Sequence, residues 1–460
     1  MIYVVDAMMG TGKTSAAIQY MNDHSKDRRF LYITPYLKEM ERIRDACPDL
    51  KFACPTNRNK NSEFNKSSDL IRLLRQHRNV ATTHELYLRS GLETMEELAL
   101  GNYTVIIDEI VDVFREPDCC SADIQIAVDA GYLVPDAEHS GERFTFYVRS
   151  DKEYMAGEDS RRGVFSGLFK NAEMRRLVGA NDAPVNQRYI CWMLDRKLFT
   201  ASVDTYVLTY LFDGSPMYAY FQYNHLHYIS IGVTKMSDGI YQFSNKRSVP
   251  EMAKHIREYI NVVDHKKLNA VGEKETALSK SWYDRQHKPR EKPTDDAEEN
   301  ETADTTPAKT SGKEDGLDRL RKNMVNYFRN ISGSSSDSRL WCTFKGYSGR
   351  IRDKGFYSSN VAWNLKATNE YANRTDLAFL VNVYMQKTMS DFFKSSGMHI
   401  DQDQYALSCL VQWVWRSAIR NGGKIQLYLP SKRMRRILDA WMDDLENGGD
   451  GSGHVVEAAS

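Results

Sequence analysis

The stretch Ile2–Ser15, IYVVDAMMGTGKTS, decides how the rest of the chain is organised. Ile2 to Val5 reads as a short apolar strand. A glycine-bearing turn follows, and a helix opens at Lys13-Thr14. Strand, turn, Lys-Thr and helix in that order make a phosphate-binding loop. Gly10 and Gly12, with Thr11 between them, let backbone amides converge on phosphate oxygens with no Cβ in the way. The helix behind the loop aims its positive end at the anion. Lys13 is placed to reach the β- and γ-phosphates and the Thr14 hydroxyl to hold Mg²⁺, with Ser15 closing the nucleotide cradle. The usual first glycine of the pattern is Ala7 here, a small residue that the first turn accepts.

A second anchor lies at Tyr103–Ile110, YTVIIDEI. An apolar strand delivers two acids, Asp108 and Glu109, at its carboxyl end. The pair suits a metal-holding Asp and a Glu that orients or deprotonates an attacking water. Between the anchors, Phe30–Thr34 reads as a buried strand stopped by Pro35, and Val80–His84 as a short strand with a polar tip. In an open α/β sheet, ligands gather at the carboxyl ends of such strands.

Bulk properties bound the rest. The 460 residues hold 41% hydrophobic and 27% charged residues, which describes a globular protein with a sizeable core. The formal net charge is zero, so global charge announces no polyanionic partner. Seven scattered cysteines show no CxxC spacing and read as free thiols in a reducing compartment. No run is long enough to span a bilayer and no secretory leader is legible, so the expected location is the cytoplasm, with no membrane partner.

The residues divide the chain into a first α/β domain at 1–262, a charged linker at 263–316, a second α/β domain at 317–447 and a flexible tail at 448–460. A mixed stretch at about 115–188 reads as an accessory insertion, Tyr206–Phe212 as an apolar strand, and aromatic-rich Tyr218–Ile231 as more sheet. The linker contains TDDAEENETADTTPAKTSGKEDG, which lacks the large apolar residues needed to fold. In the second domain, Leu340–Phe344 reads as a strand leading to Lys345. Tyr405–Arg420 reads as a helix, with Gln412, Arg416 and Arg420 on one face. Buried arginines need anionic partners, either a carboxylate of the fold or a nucleotide phosphate. Behind a phosphate loop and an acidic strand end, the phosphate is the favoured partner.

Taken together, these segments resemble the superfamily 2 helicases and translocases, of the divergent kind found in bacteriophages and prophages. AMMGTGKT at Ala7–Thr14 is similar to the Walker A motif, and IIDEI around Asp108-Glu109 to the DExx box. ITP ending at Thr34-Pro35 and TTH ending at Thr83-His84 resemble strand-end contacts to a nucleic-acid backbone. TAS at Thr200, Ala201 and Ser202 resembles the motif that couples hydrolysis to domain movement. QWVWRSAIR, with Gln412, Arg416 and Arg420, resembles the arginine-finger motif, its arginines four apart; ATNEY at Ala367–Tyr371 lies where a further motif falls.

The resemblance implies two RecA-like P-loop domains on parallel sheets, closing on ATP and Mg²⁺, with an insertion in the first and a disordered linker between them. Lys13, Asp108, Glu109, Gln412, Arg416 and Arg420 would then be catalytic, and Thr14 and Asp108 would hold the metal. Thr34, Pro35, Thr83, His84 and Lys345 would line a nucleic-acid track, DNA rather than RNA, in phage replication in the host cytoplasm. The 115–188 insertion is a candidate surface for a protein partner. Two alternatives stay open: a DNA-packaging motor of the large-terminase kind, and a non-translocating ATP switch.

Overall fold

The computed structural model describes residues 1–57, 65–117, 119–153, 162–184, 187–247, 249–287, 315–365 and 370–452. The chain forms two units. The first comprises 1–254, 385–408 and 444–460, and the second 255–384 and 409–443. Both are α/β, each on a parallel sheet flanked by helices, as the sequence pattern requires.

In chain order the first unit carries β1 (Ile2–Asp6), β2 (Arg29–Thr34), β3 (Val80–Thr83) and β4 (Tyr103–Asp108). The insertion supplies β5 (Phe114–Arg115), β6 (Leu133–Pro135), β7 (Phe144–Arg149), β8 (Arg175–Ala180) and β9 (Tyr189–Leu194). The main sheet then resumes with β10 (Asp204–Thr209), β11 (Ile229–Lys235) and β12 (Tyr241–Ser244). Its order is β12-β11-β1-β10-β4-β2-β3, parallel except for the edge strand β12. Parallel sheets covered on both faces need apolar residues on both. Val4, Leu31, Ile33, Val105, Ile107 and Val207 pack on one face. Val5, Phe30, Tyr32, Ile106, Tyr206 and Leu208 pack on the other, with Ala16, Ala17 and Met21 of helix α1 (Lys13–Asp23).

The insertion is a five-stranded antiparallel sheet of order β5-β9-β8-β7-β6. One face packs on Phe165, Leu168 and Phe169 of helix Arg162–Met174. Beyond the insertion, the Tyr218–Ile231 segment departs from expectation. Pro216–Tyr223 is helical, because Ser215 caps it by accepting from Tyr218 N–H and Pro216 occupies its first turn.

Three boundaries also move. Residues 385–408, expected in the second domain, pack with the first unit. Phe392 and Phe393 of helix Lys387–Ser395 meet Phe114 of the insertion, Phe393 edge-on at 4.9 Å. The tail is held as far as Ser452. Asp450 accepts from Arg247 Nη1 at 3.0 Å, and the Tyr210 hydroxyl donates to the Asp450 carbonyl at 3.1 Å.

The third shift is at the linker. The second unit's sheet is made of β13 (Ile260–Val262), β14 (Arg339–Thr343), β15 (Asn360–Ala362), β16 (Asp376–Phe379) and β17 (Ile425–Tyr428). The order is β13-β17-β16-β14-β15, parallel throughout. Ile260 is paired with Ile425, so this unit begins before 262. Leu268, Leu278 and Tyr283, expected in a disordered linker, are core residues, and Tyr283 donates to Leu380 O at 2.8 Å. The acidic run at 288–314 and residues 366–369, which include the first three of the ATNEY segment, lie outside the described residues.

The arginine helix is shorter than its periodicity predicts. It runs Gln402–Val414, and a separate 3-10 turn spans Ala418–Asn421. The break is local: Ser417 Oγ donates to Val414 O at 2.6 Å, and Ala418 N–H donates to Arg374 O instead of continuing the ladder. Gln412, Arg416 and Arg420 therefore do not share one helical face. Arg416 is buried at 5% exposure, whereas Arg420 is exposed. No helix among the described residues is long and apolar enough to cross a membrane.

Candidate functional site

The loop after β1 has the backbone its glycines imply. Gly10 and Gly12 hold φ of 81° and 90°, in the left-handed region that side chains avoid. Helix α1 starts at Lys13 with no side chain capping its first amides. A helix start of this kind suits an anion. Lys13 Nζ donates to the carbonyls of Ala7 at 2.5 Å and Met8 at 3.1 Å, folding over the loop that it encircles. Thr11 Oγ1 closes the turn onto Met8 O at 2.8 Å. Ser15 is exposed beside the helix start.

The parallel register brings the ends of β10 and β4 next to this loop. Ala7 N–H donates to Thr209 O at 3.1 Å, and Leu208 is paired with Asp108. Thr14 Oγ1 lies 3.5 Å from Asp108 Oδ2, so the hydroxyl and carboxylate expected to hold a metal do converge. Glu109 follows with φ of 68°, a left-handed turn costly for a non-glycine residue. Its amide donates to Leu208 O at 3.0 Å, which pins the turn.

Loss of hydration, then the neighbouring Glu109 carboxylate, push the Asp108 carboxyl up to about 6. A hydrogen bond from Tyr32 works the other way. The Tyr32 hydroxyl, on β2, donates to Asp108 Oδ2 at 2.7 Å. Tyr32→Phe keeps the ring in the core but removes this donor, which is worth about 1 kcal/mol. We expect the Mg²⁺ concentration for half-maximal turnover to rise about fivefold in that variant. An unchanged Mg²⁺ requirement in a metal titration would make Tyr32 a packing residue only.

Other residues of the resemblance are distributed less evenly. Thr34 is fully buried at the end of β2. Thr83 Oγ1 accepts from Leu86 N–H, capping helix His84–Leu88. His84 is buried, with Nε2 2.8 Å from Asp108 O, so it ties the end of β3 to the acidic turn. Pro35 is half-buried beside Thr34. All four lie at the same sheet end as the loop. Thr200, Ala201 and Ser202 do not: they precede β10, at the opposite end of the sheet. There Thr200 Oγ1 donates to Arg196 O, and Ser202 Oγ pairs with Thr205 Oγ1 at 2.7 Å. The strand end that reaches the loop is Thr209–Leu211. Its signal was the YVLTYLF run, an apolar strand with one threonine near its end.

Asp6 was also missed. Buried under the loop, it accepts from the amides of Leu211 at 2.9 Å and Phe212 at 3.2 Å, fixing the β10 exit beside the phosphate loop. An acid one residue before the loop was the legible sign.

In the second unit, Lys345 is exposed just after β14. Trp341, Trp413 and Trp415 are core side chains. The basic start of helix Lys432–Glu446 is largely engaged. Arg433 donates to Val383 O at 2.7 Å and Arg435 to Pro430 O at 2.7 Å. Asp136, Glu138 and His139 in the insertion come within metal-ligand range of one another, but Arg176 Nε already donates to Asp136 at 2.9 Å.

Residues 254–442 match the model of a YonV C-terminal Rossmann-like domain. The chain is 30% identical, over 447 residues, to the SPbeta prophage-derived uncharacterized protein YonV of Bacillus subtilis strain 168. That match covers 96% of this chain and 99% of the relative. A solved structure, S. tokodaii Xpd4, aligns with 95% of this chain and 93% of its own at 11% identity and a TM-score of 0.39.

Proposed function

The chain belongs to the YonV family, and we propose that it is an ATP-dependent nucleic-acid translocase or helicase acting on DNA in phage replication. One observation carries the proposal. Thr14 Oγ1 and Asp108 Oδ2 stand 3.5 Å apart beside Lys13, at a helix start whose amides no side chain caps. That donor set fits a triphosphate with one divalent cation: two oxygen ligands for the metal, a cation and amides for the phosphates. When bound, MgATP supplies the phosphoryl group that is transferred to water.

The chain's own residues divide the work. Lys13 exchanges its carbonyl partners for phosphate oxygens. Thr14 and Asp108 hold the metal, and Tyr32 keeps Asp108 aimed. Glu109 accepts the proton of the attacking water. Gln412, Arg416 and Arg420 are the proposed catalytic residues of the second unit, Arg416 buried and Arg420 exposed. Pro35 and Thr83 of the first unit and Lys345 of the second are the proposed nucleic-acid contacts; Thr34, expected among them, is fully buried and has no surface to offer a strand, and His84 acts through its bond to the acidic turn.

Steady-state ATP hydrolysis measured with single-stranded, duplex and forked DNA, and with RNA, tests the proposal. The expected result is Mg²⁺-dependent turnover that single-stranded DNA stimulates. Turnover indifferent to every nucleic acid would favour the ATP switch instead.

A further inference from the structure

β10 lies between β1, which leads into the phosphate loop, and β4, which ends in Asp108. It leaves the sheet through the turn at 209–212. We propose that the segment at 447–452 is a strap that sets this turn, so that loosening the strap slows turnover from a distance. The inference rests on the phosphate-loop reading above and adds to it a means of control.

Three observations converge. First, the turn is strained and central. Leu211 holds φ of 58°, in the left-handed region that is costly for a leucine. Buried Asp6 keeps it there by accepting from the amides of Leu211 and Phe212. Ala7 N–H donates to Thr209 O and Glu109 N–H to Leu208 O, so a shift of the turn reaches both the loop and the acidic turn.

Second, the strap bonds to this turn. The hydroxyl of Tyr210, a buried side chain, donates to Asp450 O at 3.1 Å. Gln404 Nε2 donates to Ser452 O at 2.8 Å, while the Gln404 backbone packs so closely on Gly214 that a Cβ there would run into it.

Third, the strap reaches Asp6 through Arg247. Arg247 Nη1 donates to Asp450 Oδ2 at 3.0 Å and Nη2 to Ser230 Oγ at 2.8 Å, on β11 where Ser230 is paired with Val4 of β1. Burial pushes the Asp6 carboxyl up, and the Arg247 charge is the main influence opposing that rise. Without Asp450 the guanidinium turns toward Asp6 and draws the carboxylate off the two amides. The strap itself is held mainly by side chains, with Gly451 N–H donating to Asp444 Oδ2 at 2.8 Å. Segments held in this way open before the sheet does.

Full-length Tyr210→Phe and Asp450→Ala each loosen the strap and leave Lys13, Thr14 and Asp108 in place. Amide hydrogen exchange and steady-state ATP hydrolysis, measured on the same preparations, test the inference. Exchange is expected to quicken at 447–452, at 209–212 and in the loop, with the other strands of the sheet unchanged. kcat is expected to fall about tenfold with KM for ATP nearly unaltered, within what a small misplacement far from the chemistry costs. Arg247→Lys is expected to keep most of the turnover that Arg247→Ala loses. Unchanged kcat in both strap variants would overturn the inference. So would quicker exchange confined to 447–452, or a uniform rise across the sheet, the mark of general destabilisation. Absence of turnover in the unaltered chain would sink the phosphate-loop reading, and the exchange pattern would still decide whether the strap sets the turn.

Discussion

Lys13→Ala is expected to lower ATP turnover by about 10²–10³-fold, the usual cost of deleting a charge-stabilising donor at a reacting phosphate or oxyanion. The fold should survive. The Lys13 ammonium donates to the carbonyls of Ala7 and Met8. Losing two such bonds costs about 1–3 kcal/mol. The checks are phosphate release under saturating MgATP and a thermal melt of the same preparation. Near-normal release from a folded variant would remove the loop from catalysis.

Asp108→Asn has the second large effect, and its two consequences run in opposite directions. Hydrolysis should fall by at least about 100-fold, because the metal loses its anionic ligand. Stability of the nucleotide-free protein should rise. Burial pushes the Asp108 carboxyl up to about 6 from its ordinary value of 3.8. A raised acid favours folding fully below its unfolded value, and that favour is lost as pH climbs through the folded value. Above about pH 6, the folded state thus carries an ionised group at a cost of about 1–3 kcal/mol. Asparagine removes the charge yet still accepts from Tyr32. Denaturant melts at pH 7.5 should show the gain, and melts at pH 4 should show it shrink toward zero. Destabilisation at both values would mean that the carboxylate anchors Thr14 and Tyr32 structurally.

The parts of the site that were legible are contiguous in sequence. The loop and the Asp108-Glu109 pair each sit in one short run, and the strand and helix patterns around them are local. What was not legible depends on which strands become neighbours. Tyr32 reaches Asp108 only because β2 pairs with β4, and Thr209 reaches the loop only because β10 inserts between β1 and β4. The TAS motif was misplaced for the same reason: it precedes β10, while ligands gather after it.

The arginine helix shows a different limit. Its apolar spacing continues past Val414, but the Ser417 hydroxyl satisfies the Val414 carbonyl and releases the chain from the helix. Hydrophobic periodicity carries no sign of such a side-chain competitor. The domain boundaries failed where burial is non-local. Phe392 and Phe393 return to the insertion, and Leu278 and Tyr283 join the second core despite their polar surroundings in the sequence.

The central claim is that Lys13, Thr14 and Asp108 form one site for a triphosphate and its metal. A crystal structure of the protein with Mg²⁺ and a non-hydrolysable ATP analogue tests it most directly. The account predicts Lys13 Nζ released from the Ala7 and Met8 carbonyls and bonded to phosphate, with Thr14 Oγ1 and Asp108 Oδ2 both on the ion. At saturating nucleotide, an empty loop with Lys13 still folded onto those carbonyls would contradict it.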